Sequence, residues 1–427
     1  VDLIVTRGGS SSQEALHVAT PPSQALRHFA LPAVILGLAV VLAQQPPGRS
    51  ETIAAIAKYG PTLVLLAGSL VTLAFKRGRA LFAVLSLSAA CAAFDYQLTE
   101  LSPFVAKTVL AGITIFVPFN IALYSLVEER GALNAYGVRR AAVIALECLI
   151  VLTLILDNRR FLTEALYYPL FGAAPFWHEG IPQISLIVMA VALIVATTVA
   201  VTRNSTVDAA FAGAIAAFAL GCNAIANPNA FFIYVAAAGG MIMVAVLQDS
   251  YRMAFHDDLT GLPGRRALNE RLLALGGQYS IAMLDVDHFK SFNDRWGHDV
   301  GDQVLKLVAS RLRTRERGAE AFRFGGEEFT LVFPGKRLNE VLPRLEALRR
   351  DIEQYQFSMR EGPRDEEDIR SKQPPSPVSP TRALVSVSVS IGAAERNEVF
   401  IKPSEVLKAA DNALYKAKGG GRNRVSY

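Results

Sequence analysis

The chain has 427 residues, 52% hydrophobic and 19% charged, with a formal net charge of +5 and a mean hydropathy of +0.30. That apolar weight excludes a wholly water-facing globular chain, and three cysteines in this length exclude a disulfide framework. The isoelectric point near 9.1 asks for no nucleic-acid partner, because basic inward loops of a membrane protein supply such an excess.

Residues 1–28 read as a leading tail on the cytoplasmic side, and Ala25–Leu42 has no convincing signal-peptide cleavage site. Apolar runs then succeed one another over residues 29–247. A helix needs roughly 20 apolar residues to cross a bilayer. On that criterion the runs predict a membrane α-helical bundle of about eight spans, at Phe29–Ala43, Tyr59–Phe75, Ala80–Phe94, Thr108–Val127, Ala141–Leu156, Ile181–Val201, Val207–Ala226 and Ala230–Leu247. With both termini cytoplasmic, the inside loops hold Lys76, Arg77, Arg79, Arg130, Arg139, Arg140 and Arg203. The outside segments hold Arg49, Lys58, Lys107, Arg159 and Arg160, so the bias favours this orientation. Cys91, Cys148 and Cys222 fall within spans and read as small buried hydrophobes. Glu147 sits inside the fifth span, where an ionisable residue is costly; it is either a functional group or a residue near the inner surface beside Arg139 and Arg140. Pro118 is expected to kink the fourth span, with Asn120 answering a freed carbonyl. The outer segment Asp157–Gln183 carries Phe161, Tyr167, Tyr168, Phe171, Phe176 and Trp177, an interfacial belt or the lining of a small-molecule site. A single helix is expected over Ala236–His256, so that residues 248–257 link the membrane region to the charged C-terminal region.

After Tyr251 the pattern becomes charged and alternating. The apolar run Ser280–Leu284 reads as a buried strand closing in Asp285-Val286-Asp287. Residues two apart share a strand face, so both carboxylates can point the same way and would repel without a cation or proton between them. A helical stripe comes next, at Val304, Leu307, Val308 and Leu312. The alternating runs Ala321–Phe324 and Phe329–Phe333 flank Gly325-Gly326-Glu327-Glu328, a hairpin whose glycines allow a tight turn and whose tip shows two carboxylates. Hard oxygen ligands of this kind suit Mg²⁺. A helix over Leu338–Tyr355, a strand over Leu384–Ile391 and a helix over Ser404–Lys418 complete the pattern. The Pro-, Ser- and charge-rich stretch near 358–382 reads as a disordered insertion.

The segment Asp257–Tyr427 resembles the GGDEF family of diguanylate cyclases. The resemblance rests on four elements in order: Asp257-Asp258-Leu259-Thr260-Gly261-Leu262-Pro263, the run from Asp285 to Asp302, the Gly325–Phe329 signature, and Ala410–Lys418 with Gly421-Arg422-Asn423-Arg424 after it. It implies a cytoplasmic α/β palm-type, nucleotidyl cyclase-like GGDEF domain over residues 258–427, behind an eight-span sensor region over residues 29–247. The implied reaction condenses two GTP into cyclic di-GMP and pyrophosphate, across a homodimer, in the cell inner membrane. The resemblance assigns Mg²⁺, with Mn²⁺ as a substitute, to Asp285, the Val286 carbonyl and Glu327. It makes Glu328 and Lys290 catalytic, the former beside the 3′-hydroxyl and the latter on phosphate. Asn293 and Asp302 read guanine, the backbone N–H groups of His288 and Phe289 cradle phosphate, and Lys418 and Arg422 hold the triphosphate tail. Expected partners are GTP, membrane lipid and a small-molecule or protein signal at the membrane region, with no nucleic acid.

Read by residue type alone, Asn293 and Asp302 are also good helix caps, and Lys418 and Arg422 also complement a helix C-terminus. Two departures from the family pattern stand out: Gly264 replaces a usual Asn, and Glu316-Arg317-Gly318-Ala319 replaces the Arg-x-x-Asp that binds product in feedback inhibition. Weak or no feedback through that site is expected. Other function classes are a non-catalytic GTP or cyclic di-GMP receptor and a transporter with a regulatory tail; intact acidic residues favour the enzyme, and sparse charges within the spans weigh against the transporter.

Overall fold

A computed structural model describes residues 26–44, 51–99, 102–172, 180–315, 318–360 and 382–427, apart from the side chains of 51–57, 97–99, 357–360 and 382–384. The leading tail before residue 26, Arg49, Phe176, Trp177, Glu316, Arg317 and positions 361–381 of the predicted insertion lie outside the described residues. The chain divides into two compact units, one ending at Tyr251 and one running over Arg252–Tyr427.

The first unit is helical: α1 Ala30–Ala43, α2 Glu51–Ala74, α3 Gly78–Thr99, α4 Pro103–Leu126, α5 Ala135–Leu156, α6 Arg160–Leu166, α7 Gln183–Arg203, α8 Thr206–Asn223 and α9 Pro228–Phe255. Each predicted span falls on one of these helices, and α6 is a short addition in the outer segment. Five helices among the described residues are long and apolar enough to cross a membrane: Gly78–Tyr96, Pro103–Leu126, Gln183–Arg203, Thr206–Asn223 and Pro228–Phe255. Ala30–Ala43 and Lys58–Ala74 are shorter apolar helices.

The arginines of the predicted inside loops meet at one end of this unit, where they answer orphan carbonyls at the end of α4. Arg79 Nη1 donates to Asp208 Oδ1 at 2.9 Å and to Val127 O at 3.2 Å, and Arg203 donates to Ser125 O at 2.7 Å and Leu126 O at 2.8 Å. Glu129 in turn accepts from the Gly78 and Arg79 N–H groups that open α3. Asn120 does not serve a carbonyl freed by Pro118. Its amide donates to Glu147 Oε2 at 2.6 Å, because both groups are buried and each removes the other's unmet bond.

The second unit is a palm-type α/β domain with α10 Arg265–Leu273, β1 Tyr279–Val286, α11 Phe289–Trp296, α12 His298–Arg315, β2 Glu320–Gly325, β3 Glu328–Pro334 and α13 Leu338–Glu353. It continues with β4 Phe357–Arg360, β5 Arg382–Val385, β6 Val389–Glu395, α14 Pro403–Gly419 and β7 Val425–Ser426. One sheet runs β2-β3-β1-β6-β7, antiparallel except for the β6–β7 pair; β4 and β5 form a separate ribbon. The ends of the predicted insertion are therefore strand, since positions 358–360 and 382 belong to β4 and β5. The single strand expected over Leu384–Ile391 is two, β5 and β6.

Strand parity sorts the core. Ala282, Leu284 and Val286 face the layer of α12 and α13, whereas Tyr279, Ile281 and Met283 face α10 and α14. Gly392 of β6 lies against α14, where an added Cβ would sit 1.9 Å from Leu414 N and 2.3 Å from Ala410 O. Both obstacles are backbone and cannot swing aside. Gly392→Ala should therefore destabilise this domain by at least about 2 kcal/mol, read by denaturant unfolding; an unchanged midpoint would show that α14 lifts from the sheet without penalty.

Candidate active site

The same parity places the acidic cluster. Asp285 has odd register and so emerges on the α14 face of β1, directly opposite Glu328 across the β1–β3 ladder. Glu328 has the parity of Val332, whose side chain also packs toward α14. The β2–β3 turn consists of Gly326, at φ +48°, and Glu327, and it is held beside the end of β1 by a bond from Val286 N to Glu327 O at 3.3 Å. Three carboxylates thus gather at one edge. Asp285 is 6% exposed, and Glu327 and Glu328 are half-buried.

The cluster is electrostatically unfavourable. Burial pushes the Asp285 carboxyl above its usual range despite a Lys418 ammonium at 2.8 Å. Burial, then the Asp285 charge, does the same for Glu327 and for Glu328. Among the described residues no three His, Cys, Asp or Glu side chains are gathered closely enough to form a closed ligand set. The donor chemistry nonetheless fits a hard divalent cation: adjacent oxygen donors whose charges are disfavoured by one another, with a monovalent cation already drawn to Asp285. Lys418, expected on the triphosphate tail, pairs with Asp285 in the nucleotide-free chain. Arg422 is exposed and near enough to lower the Asp285 pKa.

Asp285 and Asp287 take different partners within the protein. Asp287 is fully engaged elsewhere, accepting from Ser388 Oγ at 2.7 Å, Ser390 Oγ at 2.6 Å and Asn423 N at 3.0 Å. Asn423 is fixed further by Glu353 at 2.6 Å and by Arg349, which also binds Glu346 and Glu353. This network holds Arg422 and Asn423 at φ +62° and +46°, a conformation that resists non-glycine residues. Sequence reading missed Ser388, Ser390, Asn423 and Arg349 because their partners are remote in the chain; Asn423 beside Arg422 was the only local hint.

The remaining predicted residues cluster around α11 and α12. His288 takes φ +57° just before α11, and, as at any helix start, the N–H groups of the first turn, Phe289 among them, lack intrahelical acceptors. Lys290 is exposed on that turn. Asn293 and Asp302 are not caps: α11 starts at Phe289 and α12 at His298, which leaves both in helix interiors. Among the described residues Asn293 Oδ1 is buried without a hydrogen-bond partner, and a Cβ on Gly301 would lie 1.8 Å from it. Asp302 is exposed one position further along α12.

Arg323 was likewise unforeseen. Its Nη1 donates to both Asp257 oxygens at 2.7 and 2.8 Å, while Nε and Nη2 donate to Gly326 O at 3.0 and 2.6 Å. Burial opposes the Asp257 charge, but bonds from Thr260 and the Arg323 guanidinium outweigh it and hold this carboxyl below its ordinary range. Gly264 N donates to Phe255 O at 2.7 Å, so the residue that replaces the usual Asn anchors the last turn of α9 through its backbone. A chain of bonds therefore runs from Phe255 through Asp257 and Arg323 to the turn that carries Glu327.

Residues 254–424 match the family model described as "Diguanylate cyclase, GGDEF domain". The chain is 38% identical over 187 residues to diguanylate cyclase DgcP of Pseudomonas aeruginosa, covering 42% of this chain and 25% of that protein. It is 39% identical over 176 residues to diguanylate cyclase VdcA of Vibrio cholerae, covering 40% and 46%. It thus spans less than half the length of either relative. A crystal structure of the coiled coil and GGDEF domain of DgcB from Caulobacter crescentus, in complex with c-di-GMP, is 34% identical and covers 42% of this chain and 88% of that one, at a TM-score of 0.35.

The raised carboxyl pKa values set a sign for stability. Between the unfolded and folded pKa the folded protein binds more protons, so these three groups remove stability as pH rises through that window. Glu328→Gln should therefore melt higher than the unsubstituted, metal-free chain at about pH 7.5 and converge with it near about pH 4. A variant that melts lower at neutral pH would mean that the Glu328 charge is stabilising.

Proposed function

We propose, from the premise that residues 254–424 are a GGDEF domain, that this chain is a membrane-bound diguanylate cyclase that joins two GTP into cyclic di-GMP. The observation that carries the reading is the convergence of Asp285, Glu327 and Glu328, with Lys418 beside them, at the junction of β1 and the β2–β3 turn.

In the proposed reaction the 3′-oxygen of one GTP forms a bond to the α-phosphorus of the other. The bond from that phosphorus to the bridging oxygen breaks, and pyrophosphate leaves with the electron pair; the reciprocal attack by the second nucleotide's 3′-oxygen closes the ring and releases a second pyrophosphate. Glu328 takes the hydroxyl proton; its disfavoured charge makes it a better base than an ordinary exposed carboxylate. Asp285, the Val286 carbonyl and Glu327 would hold Mg²⁺ or Mn²⁺. An ion held there would lower the pKa of the attacking hydroxyl and offset charge on the triphosphate. Lys418 would yield Asp285 to the metal and turn to the triphosphate tail together with Arg422. Lys290 and the N–H groups of His288 and Phe289 cradle phosphate at the start of α11, where backbone donors and the helix dipole favour anions. Asn293, whose side-chain oxygen awaits a donor, and Asp302 read the guanine edge.

Two triphosphates must meet in opposed orientation, so one domain supplies half of the site and a twofold dimer supplies the rest. We place the helices of the first unit in the cell inner membrane as eight spans with both ends cytoplasmic, which the gathering of the inside arginines at one end supports. The spans would set the geometry of paired α9 helices, and the bonds from Phe255 to Gly326 would carry it to the site. Four residues inserted after Gln248 turn the helix phase and should change basal activity about tenfold or more. Unchanged turnover would exclude this coupling.

Purified full-length protein given GTP and Mg²⁺ should release cyclic di-GMP, tracked by chromatography. Glu328→Gln should lower kcat by about 100-fold or more, and Asn293→Ala should act mainly on KM for GTP. GTP left intact by the dimeric protein would instead favour a conformational receptor. Because Glu316-Arg317-Gly318-Ala319 replaces the usual product-binding pattern, micromolar cyclic di-GMP should not inhibit non-competitively.

A further inference from the structure

A cavity of about 290 Å³ lies among α3, α4 and α5, walled by apolar side chains and small residues such as Gly112. This is near the lower end of the volumes that hold small ligands, about 300–1,000 Å³. Two polar groups look into it. Glu147 is 9% exposed and Asn120 is 1% exposed. Asn120 Nδ2 donates to Glu147 Oε2 at 2.6 Å, which fixes the amide orientation, since the flipped amide would set oxygen against oxygen. Asn120 Oδ1 is consequently left buried with no hydrogen-bond partner among the described residues.

Among the described residues, no lysine or arginine lines the cavity. Arg140, on the same helix as Glu147, is committed to the carbonyls of Gly131 and Glu128, both at 3.2 Å. Ser86, another lining residue, donates its hydroxyl to Phe82 O. The partly open pocket is therefore apolar except at one end, where Glu147 pairs with no cation among the described residues and the Asn120 oxygen lies buried just behind the wall. Such groups are retained at a steep desolvation cost unless a partner answers them.

We propose that this cavity binds a lipophilic amine, with its ammonium on Glu147 and Asn120 Oδ1 and its hydrocarbon body along α3 and α5. Of simple head groups, an ammonium supplies several donors and the opposite charge together. An alcohol supplies one donor and no charge, and a carboxylate would repel Glu147. The site is separate from the nucleotide chemistry and stands whether or not the chain is a cyclase.

The test is thermal unfolding of the full-length protein in a neutral detergent with three probes of equal chain length: octylamine, octan-1-ol and octanoate. Octylamine should raise the melting temperature of the transition that reports the helical unit, beyond any effect of the other two. Glu147→Gln should raise the octylamine concentration for half-maximal shift by about thirtyfold or more, as expected on losing a desolvated charge pair. Ala93→Leu keeps both polar groups and narrows the chamber, so it should also weaken the shift and serves if Glu147→Gln fails to fold. Equal shifts from all three probes would mean that a lipid chain fills the cavity. That result, no shift from octylamine, or an octylamine shift that survives Glu147→Gln, would overturn the proposal.

Discussion

The second unit is organised by a conflict that its sheet register does not allow to relax. Asp285 and Glu328 are locked opposite each other by the β1–β3 ladder, and the Val286–Glu327 backbone bond draws the turn in beside them. Slipping the register by one residue would turn every core side chain of β1 to the wrong layer, so the apolar strand enforces a contact that its acidic end would otherwise avoid. The Lys418 ammonium, with Arg422 and Arg265 further off, does not outweigh the burial and mutual repulsion of these carboxylates. Stability of the fold is thus given up to hold a place for positive charge, the usual relation between strain and function in a preorganised site.

A second network keeps that strain local. Asp287 lies two residues beyond Asp285 but is satisfied by Ser388, Ser390 and Asn423. Through Asn423 it reaches the Arg349 cluster on α13 and fastens the positive-φ turn that presents Arg422. One carboxylate is saturated and rigid while its near neighbour is short of donors. The difference in environment separates a structural acid from one available to a cation, although both have the same residue type and the same face.

Much of this was legible in order along the chain. Alternation around Gly325-Gly326 marked the hairpin, and the apolar run before Asp285 marked the central strand. Apolar length marked the helices of the first unit, because period and composition are local properties. What the residues alone left open was decided by distant packing. Capping remained a fair reading of Asn293 and Asp302 until helix boundaries moved both into helix interiors. Lys418 could not be matched to Asp285, nor Arg323 to Asp257, since each pairing joins segments far apart in sequence. The helix expected to begin at Ser404 begins at Pro403, because Glu405 turns back to bind the N–H groups of Ile401 and Lys402 and displaces Ser404 as the cap.

The helical unit shows the same contrast between a compensated and an uncompensated acid. Asp208 is 1% exposed and meets Arg79 at 2.9 Å, with Glu129 adding a second carboxylate near the guanidinium. That arrangement ties α3, α4 and α8 together at the end where backbone carbonyls also need donors, so architecture alone accounts for it. Both pairs leave buried atoms without partners among the described residues, Asp208 Oδ2 and Arg79 Nε in one and Asn120 Oδ1 in the other; what differs is that Glu147 closes no helix end and, among the described residues, meets no cation. A purely structural polar pair would be simpler as two apolar residues, which in a low-dielectric interior pack as well without the desolvation penalty. The persistence of the pair beside a chamber, rather than within solid packing, is what separates it from the Asp208 cluster and directs attention to what the chamber holds.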